Sequence, residues 1–192
     1  MYLSVLFFIF AKKITKIMMS LIDLLQNRRS IRKFTTSPVE KEKIDLILKA
    51  ALMAPSSKRS TPWHFIVVQD KDKLKAISES RTMGSAFVAN APLAILVLAD
   101  ESKSDVWVED ASIAATLMIL ESQDLGLGAC WVQVRNRMKN ETETTETVLK
   151  NLFEIPDGLR AECIVAIGYK DEEKKPFDDA HILKDRTHFD KF

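Results

Sequence analysis

The sequence predicts a single domain that mixes α-helices with β-strands. The chain has 192 residues, of which 46% are hydrophobic, and this is enough to build one sizeable core. Its charged residues, 29% of the total, are spread along the chain, and with five glycines and six prolines no segment has the composition of a linker or a disordered tail. Segments with apolar residues at helical spacing alternate with short runs rich in β-branched and aromatic residues. The two patterns together indicate a mixed fold.

Helix signals occur five times. Ser20 and Asp23 provide a capping box that opens the first helix. A second helix, which ends before Pro55, opens with a cap residue, a first-turn proline and an acid: Ser37, Pro38 and Glu40. Apolar spacing predicts three more helices: a short one around Leu74 and Ile77, a long one over Val106–Leu125, and one over Val148–Phe153. Gly126 follows the long helix as a stop signal.

Four runs are predicted to be strands: residues 64–69, 93–99, 129–134 and 163–169. The run 93–99 is apolar at every position, which is typical of a strand buried on both faces. The last 23 residues, 170–192, are polar with a few aromatics and have no clear period. We expect them to form either a surface tail or an arm that lies across another subunit.

Residues 1–19 form an N-terminal extension to the domain, which we place at residues 20–192. The extension contains ten apolar or near-apolar residues followed by Lys12 and Lys13. It is too short to span a bilayer, which takes about 20 residues, and its charges lie on the wrong side for a signal peptide. We therefore expect no membrane partner. The extension is either an extra helix packed on the domain or a segment upstream of a true start at Met18 or Met19, and we favour the second.

Positive charge is concentrated near the N-terminus. Residues 1–34 hold seven cations and one acid, whereas the rest of the chain carries a net charge of −5. This asymmetry argues against a protein that coats nucleic acid and for one local anionic partner. The two cysteines, Cys130 and Cys163, and the three histidines have no metal-ligand spacing, so we expect no metal site. Buried free thiols in a reducing compartment, the cytoplasm, are the expected state.

Two polar stretches are candidates for binding. Four residues after the first helix suit an anion: Arg28, Arg29, Ser30 and Arg32. Guanidinium groups match phosphate oxygens in a bidentate way, although a solvated helix end also favours cations. The serine loop, residues 54–62, holds paired serines and two cations between Pro55 and Pro62: Ser56, Ser57, Lys58 and Arg59. By itself this loop is better explained as a turn anchored by Trp63.

Together these motifs resemble the flavin-dependent nitroreductase family. The resemblance covers about residues 20–192, and its motifs follow one another in order: RRSIRKF (28–34), APSSKRSTPWHF (54–65), NAPLAILVLA (90–99), EDASIAATLMILESQDLGLGACW (109–131) and VAIGY (165–169). The first two are fairly specific as a pair. The resemblance implies an α+β fold with a mostly antiparallel sheet flanked by helices, and an intertwined homodimer with flavin mononucleotide (FMN) at the subunit interface.

Family roles carried over position by position imply an FMN site built from four segments. The first motif holds the phosphate, the ribityl chain and the pyrimidine edge through Arg28, Arg29, Ser30 and Arg32. The serine loop reaches the flavin from the other subunit through Pro55, Ser56, Ser57 and Arg59, with Arg59 standing where the family often has asparagine. One face of the ring is covered by Trp131, Val132 and Gln133, and the backbone amide of Gln133 points at flavin N5. Val134 replaces the family's usual glycine, and the phosphate site is completed by Lys174 and Lys175.

The implied activity is that of an FMN-dependent oxidoreductase with ping-pong kinetics. It takes hydride from NADH or NADPH and passes it through N5 to a small acceptor such as a nitroaromatic or a quinone, and no side chain acts as nucleophile or general base. The alternative is a flavin-binding carrier or regulator without turnover. The donor preference is not readable, because the sequence lacks the G-x-G-x-x-G fingerprint. Nucleic-acid binding is disfavoured by the charge of residues 35–192, and Asp110 is expected only to complement the dipole of the long helix.

Overall fold

The computed structural model describes residues 20–192 and places four strands in one sheet. The strands are β1 (Trp63–Val68), β2 (Leu93–Asp100), β3 (Gly128–Gln133) and β4 (Leu159–Gly168). They lie in the order β1-β2-β4-β3, and each neighbouring pair is antiparallel. The predicted α+β class with a mostly antiparallel sheet is therefore confirmed.

The described residues form five α-helices: α1 (Leu21–Asn27), α2 (Lys41–Leu52), α3 (Lys71–Ser78), α4 (Trp107–Asp124) and α5 (Thr145–Phe153). The capping box predicted for the first helix is confirmed. The Ser20 hydroxyl accepts from the Asp23 N–H at 3.1 Å, and the Asp23 carboxylate accepts from the Ser20 N–H at 3.1 Å. The long helix ends as predicted, and Gly126 follows it in the left-handed region with φ at 78°.

The second helix begins at Lys41 and not directly after Ser37, so the predicted cap is wrong. Glu40 takes the N-cap position, but its side chain makes no hydrogen bond to the helix end. Both of its carboxylate oxygens instead accept from the Tyr169 hydroxyl, at 2.7 and 2.8 Å. Glu40, which the local pattern assigned to the helix cap, is therefore engaged in a long-range hydrogen bond with Tyr169, the residue after β4.

The core lies on both faces of the sheet. One layer is formed with α2 and α4, through residues such as Ile47 and Ala114. The other is formed with α3 and α5, through residues such as Leu74 and Leu149. β2 contributes side chains to both layers, and its residues 93–99 are at most 2% exposed. The prediction of a strand buried on two faces is confirmed.

The tail after β4 contains no α-helix, only two short 3₁₀ turns at Asp179–His181 and Lys184–Arg186. It returns to the first helix, where the Phe177 N–H donates to the Gln26 carbonyl at 2.7 Å. The Gln26 amide in turn donates to the Asp179 carboxylate at 2.8 Å. The tail therefore lies against α1 of its own chain.

Within residues 20–192, no helix has the length and apolar character needed to cross a bilayer. The predictions for the N-terminal extension, including a start at Met18 or Met19, lie outside the described residues.

The residues that follow α1 run along the outer edge of β3, and we call residues 28–34 the arginine segment. Ser30 forms a parallel bridge with Ala129, and the Ile31 N–H donates to the Ala129 carbonyl at 3.1 Å. Gly128 permits this close approach, because a Cβ at its position would lie 2.8 Å from the Ile31 side chain. The segment thus covers the first half of β3 only.

Candidate functional site

The arginine segment is extended, so its side chains alternate between two sides. On one side, the Ser30 hydroxyl lies beside the buried thiol of Cys130, close to the charges of Arg28 and Arg32. Burial raises the pKa of the Cys130 thiol, while Arg32, Ser30 and Arg28 oppose that rise. Three of the four residues predicted from this motif are therefore brought together around one point.

Arg29, the fourth, points to the opposite side. Its guanidinium donates to the carbonyl of Lys175 at 2.8 Å. It also lines a cavity of about 620 Å³ together with Lys170 and Lys174. Burial lowers the pKa of Lys170, whose ammonium donates to the Gln123 side chain at 2.9 Å. The structure places Arg29 with the two predicted lysines of the tail and apart from the other three motif residues.

Glu172 fastens the arginine segment to the start of the tail. Its Oε1 accepts from the backbone N–H groups of Arg32 and Lys33 at 2.6 and 3.2 Å, and its Oε2 pairs with Lys174 Nζ at 2.8 Å. The Arg32 amide and then the Lys174 ammonium lower the pKa of Glu172 to about 2. Glu172 contacts the backbone of Arg32, whose guanidinium lies over the Phe87 ring, with Cζ 5.9 Å from the ring centroid. In residues 20–192 no carboxylate forms an ion pair with Arg32 or Arg28.

The second half of the outer edge of β3 is open. The Val134 N–H donates to the Glu162 carbonyl at 3.1 Å, and Gln133 stands opposite Cys163 in the register. This makes Gln133 and Cys163 a non-hydrogen-bonded pair, so the N–H and C=O of Gln133 point away from β4. The carbonyl accepts a hydrogen bond from Arg81 Nη1 at 3.0 Å. No described residue accepts from the Gln133 N–H, which is the donor predicted to face flavin N5.

The Gln133 side chain is held by a buried carboxyl group. Its Nε2 donates to Glu162 Oε1 at 3.0 Å, and its Oε1 accepts from the indole N–H of Trp131 at 2.9 Å. Glu162 lies where the pairing of β4 with β2 is interrupted by a bulge, and it is 4% exposed. Burial raises its pKa, and its Oε2 has no partner among the described residues. Val132, the third predicted residue of this strand, has its side chain in the core.

Asp110, at the start of α4, anchors the serine loop. Its Oδ1 accepts from the Ser57 N–H at 2.9 Å, and its Oδ2 accepts from the hydroxyls of Ser104 and Ser60 at 2.7 and 3.3 Å. The side chain is buried, at 3% exposure. The expectation that it only complements the helix dipole is therefore wrong.

The serine loop has an unusual backbone. Lys58, Arg59 and Thr61 have φ angles of 51°, 58° and 42°, in the left-handed region that non-glycine residues rarely adopt. Pro55 and Arg59 are exposed, and the Ser56 hydroxyl accepts from the Thr61 N–H at 3.0 Å. No hydrogen bond or ion pair within residues 20–192 joins this loop to the arginine segment. One chain alone does not bring the two predicted halves of the site together.

Three residues that organise the site were missed by sequence reasoning: Arg81, Glu162 and Glu172. Glu162 could have been recognised from the sequence, because it is a lone acid at the start of the apolar run 161–169. Arg81 and Glu172 lie in polar stretches where no spacing distinguishes them from surface residues.

Known proteins share this fold over nearly the whole chain. The profile of the Nitroreductase family matches residues 25–80 and 78–169. A solved structure described as an FMN-dependent nitroreductase from Clostridium difficile R20291 is 50% identical, with a TM-score of 0.87, and the match covers 90% of this chain and 100% of that one. A relative from Archaeoglobus fulgidus, provisionally named an NADH dehydrogenase/NAD(P)H nitroreductase, is 37% identical over 176 residues, 89% of this chain and 98% of its own. The resemblance seen in the motifs is confirmed, and the chain belongs to the nitroreductase family.

Proposed function

We propose that this chain is an FMN-dependent oxidoreductase. It takes hydride from NADH or NADPH and passes it to a small acceptor such as a nitroaromatic or a quinone, with ping-pong kinetics. The relatives support the general activity, because the Clostridium difficile protein is described as FMN-dependent and the Archaeoglobus fulgidus relative is named for NAD(P)H. The observation that carries the proposal is the open edge of β3, where the Gln133 N–H points outward with no partner among the described residues.

The side chains along this edge fit the polar groups of FMN. Arg28 and Arg32 offer two guanidinium groups that form no ion pair within residues 20–192, and Ser30 adds a hydroxyl on the same side of the segment. Planar guanidinium donors suit a phosphate, which they bind in a bidentate way. Lys174, which lines the cavity beside Arg29, is paired with Glu172. We assign the phosphate to this end of the edge and the ring to the Gln133 end.

When bound, FMN supplies the two-electron chemistry at N5. The residues of the chain would hold the cofactor in place and supply charged groups beside it. The Gln133 peptide is held by Arg81 on its carbonyl and by Glu162 through its side chain, so its N–H is fixed as a donor. Negative charge on the pyrimidine side of the ring would be stabilised by a nearby cation, and Arg59 from a second copy of the chain is suited to this role.

A second copy of the chain completes the site in this proposal. Helix α1 buries none of its residues, and Leu21 and Ile22 are 61% and 62% exposed. Further large apolar side chains are exposed on α2, directly after it and in the tail: Leu46, Leu52, Met53, Phe177, Ile182, Leu183, Phe189 and Phe192. Apolar surface of this extent marks an interaction site. We therefore propose an intertwined homodimer of the single domain 20–192, in which the serine loop of each copy reaches the FMN of the other.

Cellular location is inferred from the thiols. Cys130 and Cys163 are free and buried, which supports a reducing, cytoplasmic location.

The visible absorption spectrum of the purified protein tests the proposed function. We expect a flavin spectrum that bleaches under anaerobic NADH or NADPH and recovers when a quinone is added. A bound flavin that resists both donors would favour the alternative, a carrier or regulator without turnover. Failure to bind added FMN would contradict both.

A further inference from the structure

A second group of cations lies at the far end of the open edge, on two turns that are tied together. Thr82 donates its N–H and its hydroxyl to the Met138 carbonyl, at 3.0 and 2.9 Å. Arg81 and Arg137, which precede these two residues, are thereby made neighbours. Arg81 also donates to the Gln133 carbonyl at 3.0 Å, so the pair borders the Gln133 peptide.

Neither guanidinium has a carboxylate partner in the described part of the chain. Among residues 20–192, the Arg137 guanidinium donates only to the adjacent Asn136 carbonyl, at 3.3 Å. Acids on the same turns form no ion pair with either arginine: Glu79, Glu141 and Glu143. Burial, and then the charge of Arg137, lower the pKa of Arg81, as expected for two like charges held together. Such a pair is stabilised when an anion lies between the two guanidinium groups.

This anion differs from the one assigned to the arginine segment. Ala129, which bonds Ile31, and Gln133, which bonds Arg81, are four residues apart on β3. At the rise of an extended strand this is about 13 Å, so the two groups of cations are attached at separate places along the edge. The second group lies where the proposed function brings the hydride donor to the flavin ring. A nicotinamide dinucleotide carries its diphosphate one ribose away from its reactive ring.

We propose that Arg81 and Arg137 bind the diphosphate of the NADH or NADPH donor. This inference rests on the proposed function and adds to it the residues that recognise the charged half of the donor. Arg81 is fixed by the Gln133 carbonyl, whereas Arg137 is exposed and able to close on the ligand. Met83 and Met138 border the pair at 75% and 41% exposure, and their flexible thioethers suit contact with the adenosine.

Equilibrium binding of ADP-ribose, which has the diphosphate but no nicotinamide, tests the assignment on the full-length, FMN-loaded protein. Arg137→Gln removes an exposed charge, and Lys75→Gln on α3 removes another exposed charge as the control. By calorimetry, Arg137→Gln is expected to weaken ADP-ribose binding about tenfold, which corresponds to the loss of one charge-assisted hydrogen bond, and Lys75→Gln is expected to leave it unchanged. Equal affinity in the wild type and Arg137→Gln would overturn the inference.

Donor kinetics distinguish a failure of this inference from a failure of the proposed function. We expect Arg137→Gln to raise the KM for NADH about tenfold with kcat retained, and to leave the KM for reduced nicotinamide riboside, which has no phosphate, unchanged. A KM raised for both donors, or a shifted flavin potential with unchanged KM, would overturn the diphosphate site. If reduced nicotinamide riboside reduces the wild type but ADP-ribose does not bind, the function stands and the inference fails. If neither donor reduces the wild type, both fail.

Discussion

The side-chain amide of Gln133 donates to the carboxyl group of Glu162 at 3.0 Å, joining β3 to the bulge of β4. The same residue is held from the other direction by Arg81, which donates to its carbonyl at 3.0 Å. Gln133 is therefore fixed on two sides, while its N–H stays available on the outer edge. The Glu162 carboxyl that maintains this arrangement is buried and keeps one oxygen without a partner in the described residues.

Glu162→Gln is expected to change how stability depends on pH. Burial raises the pKa of Glu162 above its ordinary value of 4.5, with Glu109 and Glu146 adding to the rise and Gln133 and Arg135 opposing it. The folded protein then keeps a proton that the unfolded chain releases. The stabilising effect is complete below about pH 4.5 and is lost as the pH rises through the folded pKa, by up to about 1.4 kcal/mol per pH unit.

Urea unfolding at a series of pH values measures this effect. Because glutamine does not titrate, the stability of the wild type relative to the variant should fall as the pH rises from the acid range to neutrality. A difference that stays constant over that range would show that Glu162 is ionised in the folded protein at the same pH as in the unfolded chain.

Glu172→Gln is expected to give the opposite pH dependence. The folded pKa of about 2 lies below the ordinary value of 4.5, so the carboxylate stabilises the fold fully above pH 4.5. That stability is lost as the pH falls toward 2. Thermal melting should show a lower Tm for the variant near neutral pH and a gap that narrows in acid. Glu173→Gln, at the exposed neighbouring acid, is the control, and an equal loss there would argue against a specific role for Glu172.

Arg28→Ala and Arg29→Ala are expected to behave differently. Arg28 lies on the side of Ser30 and Arg32, so its loss should weaken FMN binding about 10- to 100-fold while the circular dichroism spectrum is retained. Arg29 bonds the Lys175 carbonyl, so its loss should chiefly make the tail more sensitive to proteolysis. Flavin fluorescence titration and limited proteolysis measure the two effects. Equal losses of FMN affinity would contradict the division of the segment into two sides.

Asp110→Ala is expected to lower the free energy of unfolding by about 2–4 kcal/mol, because the Ser57 N–H and the Ser104 hydroxyl lose their acceptor. FMN affinity should fall as well, since the serine loop is then unanchored. Chemical denaturation and flavin titration measure both effects. Asp105→Ala, at an exposed acid nearby, should change neither. Wild-type stability in Asp110→Ala would mean that the loop is held by other contacts.

The elements of the fold follow from local patterns, and so most of them could be predicted. β2 reads as a fully apolar run, and the Ser20 capping box involves residues only three positions apart. The second helix shows the limit of such patterns. Its start was misplaced because Glu40 bonds Tyr169, a residue 129 positions away that no local spacing reveals.

The site was predictable in its residue types but not in its arrangement. The motif predicts the same role for Arg28 and Arg29, but the extended backbone places their side chains on opposite sides. Arg29 donates to the carbonyl of Lys175, which lies 146 residues further along the chain. Asp110 could be recognised as an acid near a helix start, but its three bonds depend on how the serine loop packs. Sequence spacing carries no information on contacts made between distant segments.

The outward N–H of Gln133 also bears on solubility. β3 is the last strand of the sheet, and beyond the arginine segment its edge carries backbone donors that another polypeptide could pair with. Unprotected edges of this kind are templates for intermolecular β-pairing and aggregation. If FMN occupies this edge, flavin-depleted protein should form larger particles in light scattering than the same protein after reconstitution. In that case bound FMN would protect the outer edge of β3 from pairing with other polypeptides.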